Sequence, residues 1–315
     1  MTELRSDRRT FLQTAALAAG GALAFPAAMA AGASEAALHI ATNQYPWLTF
    51  YRRVGRDFQQ NLEASLAEVA SSGVDGYEPI VNSPAEVDRL QPLLEKHGLE
   101  MRSLYVNSTL HDADQAAESI RQVVNIAERA GRLLQTKIIV TNPSPIRWGG
   151  DQDKSDEQLR TQAKSLDELG RRLAEQGQIL AYHNHDVELR QAAREFHHML
   201  LATQPEHVTL CLDAHWIYRG SGNSSVALFD VVQLYGRRIT ELHLRQSHAG
   251  VWTETLGEGD IDYRRLAEQL RTLDVKPHLV LEQAVENGTP NTLDAVEAHR
   301  RSRAYAAKIF AERPE

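Results

Sequence analysis

The stretch Leu180-Ala181-Tyr182-His183-Asn184-His185-Asp186-Val187-Glu188-Leu189 decides the fold. A short apolar run, of the length of a buried strand, ends abruptly in two histidines around an asparagine. Amphipathic stretches lie on both sides of it, near residues 155–176 and 190–203. This is one β/α unit whose strand delivers imidazoles at its C-terminal tip. Working outward, strands of the same kind are predicted at 38–42, 76–78, 101–106, 137–141, 209–213, 240–244 and 278–282, with the unit's own strand at 179–183. Helical periodicity falls between them near 57–72, 84–97, 113–131, 225–235, 262–273 and 292–311. Eight such units predict an α/β protein, a (β/α)8 TIM barrel forming a single catalytic domain over residues 31–315. The chain has no GxGxxG or Walker loop, which argues against a doubly wound nucleotide-binding sheet. Lys96-His97-Gly98 reads as a helix end with its glycine cap, and Asp262 as the cap of the helix that follows it.

Composition narrows the function. The net charge is -8 and the basic residues are scattered, so no positive stripe is available for a phosphate backbone and nucleic-acid binding is not expected. Cys211 is the single cysteine, so there is neither an intramolecular disulfide nor a cysteine metal cluster, and any metal must be held by His, Asp and Glu. Residues 1–30 read as a twin-arginine signal peptide. Ser6-Asp7-Arg8-Arg9-Thr10-Phe11-Leu12 precedes an apolar stretch from Ala15 to Phe25, then Pro26 and the small-residue site Ala28-Met29-Ala30. The run is too short and glycine-interrupted for a stable membrane anchor, so the expected location is the periplasm. Twin-arginine export carries folded proteins, which suits one that acquires its metal in the cytoplasm. Nothing in the sequence sets an oligomeric state.

In a barrel the active site forms at the C-terminal strand ends, and five of the eight tips carry ligand-type residues. Strand 2 ends in Glu78, strand 5 in His183-Asn184-His185, strand 6 in Asp213-Ala214-His215, strand 7 carries His243, and strand 8 ends in Glu282. Side chains alternate along a strand, so His183 and His185 share a direction, as do Asp213 and His215. Asp213 and Glu282 follow apolar runs, where an unpaired charge costs several kcal/mol; a cation or an arginine resolves that cost. Glu78, ahead of Pro79, is either a site carboxylate or a solvent-facing one. Nitrogen and oxygen ligands from four strands suit one divalent metal, Mn, Zn, Co or Fe, with Mg less comfortable among imidazoles. Such a cation acts as a Lewis acid on a carbonyl while a nearby carboxylate or imidazole moves a proton. Arg245 is the candidate for contact with substrate oxygens. Trp47, Trp148, Trp216 and Trp252 all fall in or near loops of the expected active face, where aromatic rings suit a sugar.

These motifs, taken in order, resemble the sugar phosphate isomerase/epimerase superfamily of xylose isomerase-like TIM barrels, in particular its exported members. The residues that carry the resemblance are Asp75-Gly76-Tyr77-Glu78, Tyr182 to Asp186, Leu212-Asp213-Ala214-His215, Leu242-His243-Leu244-Arg245, Gly257 to Asp262 and Leu281-Glu282. The resemblance implies a metal set of glutamate, aspartate, histidine and glutamate on strands 5 to 8, so Asp213, His243 and Glu282 are the implied ligands. Strand 5 departs from the pattern: His183 falls where many relatives carry glutamate, and a shifted register makes His185 the ligand instead. The family's epimerases use the strand 5 and strand 8 glutamates as two proton-transfer groups, so this replacement favours one-base chemistry, with Glu78, His185 or Glu282 as the catalytic group. His185, His215, Trp216 and Arg245 are the expected substrate contacts. Export and the lack of a phosphate-cup loop point to an unphosphorylated keto-sugar. The implied activity is isomerase or epimerase. A lyase or hydratase acting on 3-keto-glycosides is the alternative, and a non-catalytic periplasmic sugar-binding protein is a reading of another class.

Overall fold

The computed structural model describes residues 38–311; the expected signal peptide, residues 1–30, lies outside the described residues. Eight strands form one parallel sheet: β1 (Ile40–Asn43), β2 (Gly76–Glu78), β3 (Ser103–Ser108), β4 (Ile138–Pro143), β5 (Ile179–His183), β6 (Val208–Asp213), β7 (Ile239–Leu244) and β8 (His278–Leu281). Their order is β2-β1-β8-β7-β6-β5-β4-β3. The two outer strands meet through parallel bridges Gly76–Glu100 and Ile80–Tyr105, which closes the (β/α)8 barrel. Gly76 permits that closure, because a Cβ on it would stand 2.6 Å from the Glu100 carbonyl oxygen.

The helices follow the sequence pattern and its caps. Ser155 and Gln158 form a reciprocal capping box at the start of helix Asp156–Glu175. Gly98 ends helix Pro84–His97 in the left-handed conformation, and Asp262 caps helix Tyr263–Thr272 through the Arg265 N–H. Two helices differ from expectation. Gln44–Arg53 forms directly after β1, and Ala214–Gly220 directly after β6. Asn43 and Asp213, the last residues of those strands, cap them by accepting from the N–H groups of Tyr45 and Trp216. Trp47, expected near the active face, is instead buried in the first of these helices and stacks on His299 at 4.3 Å.

Inward-facing residues share one parity along the strands. Tyr105, Ile138, Val140, Ala181 and Cys211 pack together as an apolar cluster in the lumen. On the same parity stand buried polar groups: Glu78, Ser103, His183, Asp213, Glu241 and His243. A barrel lumen is ordinarily a packed apolar core. Here its upper half is ionisable, and this places the site.

Candidate metal centre and substrate cavity

Four side chains expected at the tips of β5 to β8 converge. One nitrogen or oxygen from each of His183, Asp213, His243 and Glu282 lies within 4.8 Å of the others, and all four are buried. His183 Nε2 stands 3.1 Å from His243 Nδ1, 3.9 Å from Asp213 Oδ2 and 3.8 Å from Glu282 Oε2. His243 Nδ1 is 2.8 Å from Glu282 Oε2. Asp213 divides its labour: Oδ1 caps the helix through the Trp216 N–H, whereas buried Oδ2 has no hydrogen bond among the described residues. Burial pushes the Asp213 carboxyl up to about 7, only partly offset by Arg245. Asp213 Oδ2, 3.7 Å from Arg245 Nη1 and without a hydrogen bond among the described residues, stands beside two imidazole nitrogens and a second carboxylate, a set that fits a divalent cation.

The second nitrogen of His243 is anchored from below. Nε2 faces Glu241 Oε1 at 3.1 Å and Glu78 Oε1 at 3.2 Å. Glu78 also accepts from Asn43 Nδ2 at 2.6 Å and from Ser103 Oγ at 2.5 Å. Burial and the neighbouring Glu78 hold the Glu241 carboxyl above the usual range, so this pair shares one proton and one negative charge. Nε2–H is donated downward to these carboxylates, the arrangement by which carboxylates orient ligand histidines; although burial acts the other way, Cys211, Glu78 and Glu282 raise the imidazole well above its ordinary value. Glu78 therefore lies in the lumen beneath His243, facing neither solvent nor the cavity.

The tip of β5 is tied on both sides. Asn184 donates from Nδ2 to the Asp213 carbonyl and accepts from the Asp213 N–H through Oδ1, both at 3.1 Å, which continues the β5–β6 pairing beyond the strand. Buried Glu188 accepts from the His185 N–H at 2.6 Å and from Asn142 Nδ2 at 3.1 Å, while Asn142 also donates to the His183 carbonyl. His183 thereby joins the buried cluster, and His185, one repeat further up, lines the open cavity.

That cavity, about 440 Å³, is lined by Tyr45, Tyr105, Trp148, His185, Trp216, Arg245 and Glu282 among others. His185 packs edge-on to Trp148, and its imidazole is held neutral by burial and by neighbouring His183. Arg245 is fully buried. Its guanidinium lies 5.1 Å from the Trp216 ring and 4.4 Å from the Trp252 ring, with Nε donating to the Glu282 carbonyl and an ion pair to Glu282 Oε1 at 3.0 Å. Trp252 sits in a two-stranded hairpin, Ser247–His248 with Val251–Trp252, whose turn is held by Asp260 accepting from Ser247 Oγ and the N–H groups of Ala249 and Gly250. His215 does not reach the cavity; it is buried between Trp216, Tyr218 and Trp252. Glu241 was not anticipated, although its position two residues before His243 puts it on the same strand face.

A closed parallel barrel with a buried histidine and carboxylate cluster at the C-terminal strand ends defines the class: a TIM barrel with a candidate metal site. Residues 66–305 match the xylose isomerase-like TIM barrel family, and the chain belongs to it. It is 22% identical over 265 residues to an inosose dehydratase of Clostridium botulinum, covering 75% of this chain and 86% of that protein. Among solved structures it shares its fold with an L-ribulose 3-epimerase (TM-score 0.66, 15% identity, 87% of this chain and 95% of that one). It likewise shares the fold of a 3-keto-D-glucoside 4-epimerase from E. coli (TM-score 0.64, 16% identity, 86% and 99%).

Proposed function

We propose that this protein is a divalent-metal-dependent enzyme of the isomerase/epimerase type, which removes the proton next to the carbonyl of an unphosphorylated keto-sugar. The observation that carries this reading is the position of Glu282: it belongs to the buried cluster and also lines the cavity. His183, Asp213, His243 and Glu282 would hold the metal, with Mn, Zn, Co or Fe favoured over Mg by the two imidazoles. A cation bound there polarises the substrate carbonyl and so acidifies the neighbouring C–H.

The chain's own residues supply the rest. Arg245 and His243 outweigh the effect of burial and keep Glu282 ionised. Arg245 also fixes its orientation from the side and backbone. His185, neutral and facing the cavity, is the second group able to take or return a proton. Trp148 and Trp216 offer ring faces and edges to a sugar and keep water from the reacting carbon.

A lyase or hydratase acting on keto-glycosides is the second reading, and one observation favours it. Where the family pattern has a glutamate on β5, His183 enters the cluster, leaving Glu282 as the only buried carboxylate among the described residues that lines the cavity. One base is enough for removing a proton and expelling an oxygen substituent from the next carbon. Incubation in deuterated water with 3-keto-glucosides and with free ketoses separates the two: deuterium retained in an intact sugar supports the isomerase, release of the aglycone supports the lyase. Deuterium in neither, with no divalent ion in the purified protein, overturns both. We also propose twin-arginine export to the periplasm, supported by Arg8-Arg9, the apolar stretch and the Ala28-Met29-Ala30 site. Changing Arg8 and Arg9 to Lys should leave unprocessed precursor in the cytoplasm; normal processing overturns this.

A further inference from the structure

We propose that the substrate carries a second sugar unit, and that this unit is held in a second cavity beside the first. The inference rests on the functional reading above. The second cavity, about 480 Å³, is lined by Gln44, Gln59, Tyr77, Asn82, Glu86 and Arg89, with four aliphatic residues including Ile80. Ile80 also lines the reaction cavity, as do Asn43 and Tyr45 on either side of Gln44. Ile80 is thus common to both linings, and its N–H donates to Gln44 Oε1 at 3.0 Å.

The lining specifies the occupant. The buried Tyr77 hydroxyl has no hydrogen-bond partner among the described residues. Arg89 is exposed. Gln44 has its amide N–H2 free of the bond to Ile80, and Gln59 is exposed. Amide, guanidinium, hydroxyl and carboxylate groups around an aliphatic floor match a ring rich in hydroxyls. An anionic group is disfavoured because Glu86 offsets Arg89, and an apolar aglycone would strand the amides without partners. A monosaccharide bound at the metal cluster leaves this cavity unused, whereas a glycosidically linked second ring passes over Ile80 into it.

The test compares a 3-keto-disaccharide with the corresponding free keto-hexose, using the full mature chain loaded with Mn. Deuterium uptake beside the ketone is measured for both sugars. The expected result is a kcat/KM at least tenfold higher for the disaccharide. In Gln59→Ala and Arg89→Ala, both changes at exposed positions that leave folding intact, the disaccharide preference should fall fivefold or more through KM. Equal efficiency with the two sugars overturns this inference while the functional reading stands. A preference unaffected by either substitution also overturns it, since the second ring then binds elsewhere. Failure of both sugars to exchange overturns the functional reading, and this inference with it.

Discussion

His183 Nε2 and His243 Nδ1 face each other at 3.1 Å, from strands two apart in the barrel, with carboxylate oxygens of Asp213 and Glu282 closing the same small space. Two imidazole nitrogens at that distance share a hydrogen-bonding proton, and with the two carboxylates they make a donor set in which a divalent cation can take that proton's place. Dialysed protein should therefore bind one Mn, Zn or Co per chain, with thermal stabilisation that grows with ion concentration. Asp213→Ala should abolish that response. His183→Glu, which restores the carboxylate of the family pattern, should keep the metal and raise the yield of epimerised over eliminated product; metal content and product analysis check both.

Asn184 does for the cluster what a backbone pair does for a sheet. Asn184→Ala removes two buried hydrogen bonds and takes from the Asp213 N–H its acceptor, a loss of about 1–3 kcal/mol. Chemical denaturation should show this loss, together with weaker metal binding.

Glu78 acts through His243. Glu78→Ala should lower metal affinity by about 10–100-fold by freeing the ring to turn, and Glu78→Gln should fall between this and the wild type. Metal titration followed by calorimetry distinguishes them, whereas a cavity-facing base would leave affinity unchanged.

Burial and the nearby Glu195 push Glu188 up to about 7 from an ordinary 4.5. A raised carboxyl means that the folded state keeps a proton the unfolded chain has already lost. Its contribution is fully present below about 4.5 and is lost as pH climbs through 7, up to about 3 kcal/mol in all. Glu188→Gln should remove this slope. The quantity to measure is the difference in denaturation free energy between wild type and variant from pH 4.5 to 8; a flat difference is inconsistent with a buried proton at Glu188.

Arg245→Lys keeps the charge but loses the planar contact with Trp216 and Trp252 and the fork that grips Glu282. Misplacement of Glu282 should lower kcat by about 10²-fold while metal content is retained.

Strand positions were legible because each strand is a short apolar run ending in polar residues, and β5 begins and ends where the sequence places it. The cluster was legible for the same reason: alternation fixes which tips face inward. Helix Gln44–Arg53 was not, because its aromatic and Thr residues mask the helical period and its start depends on the Asn43 cap and on packing against other elements. That His183 rather than His185 joins the cluster was equally hidden, since the β5 tip is held by Asn142 and Glu188, which meet across 46 residues of chain. The hairpin that carries Trp252 depends in the same way on Asp260, beyond its own strands.

Cys211 stands in the lumen with its Sγ 3.5 Å from Glu241 Oε1, fully enclosed. The chain's only thiol is thus out of reach of glutathione, peroxide or a disulfide exchanger while the barrel is closed. The folded molecule has the same covalent connectivity in reducing and in oxidising surroundings. Its assembly requires no oxidoreductase.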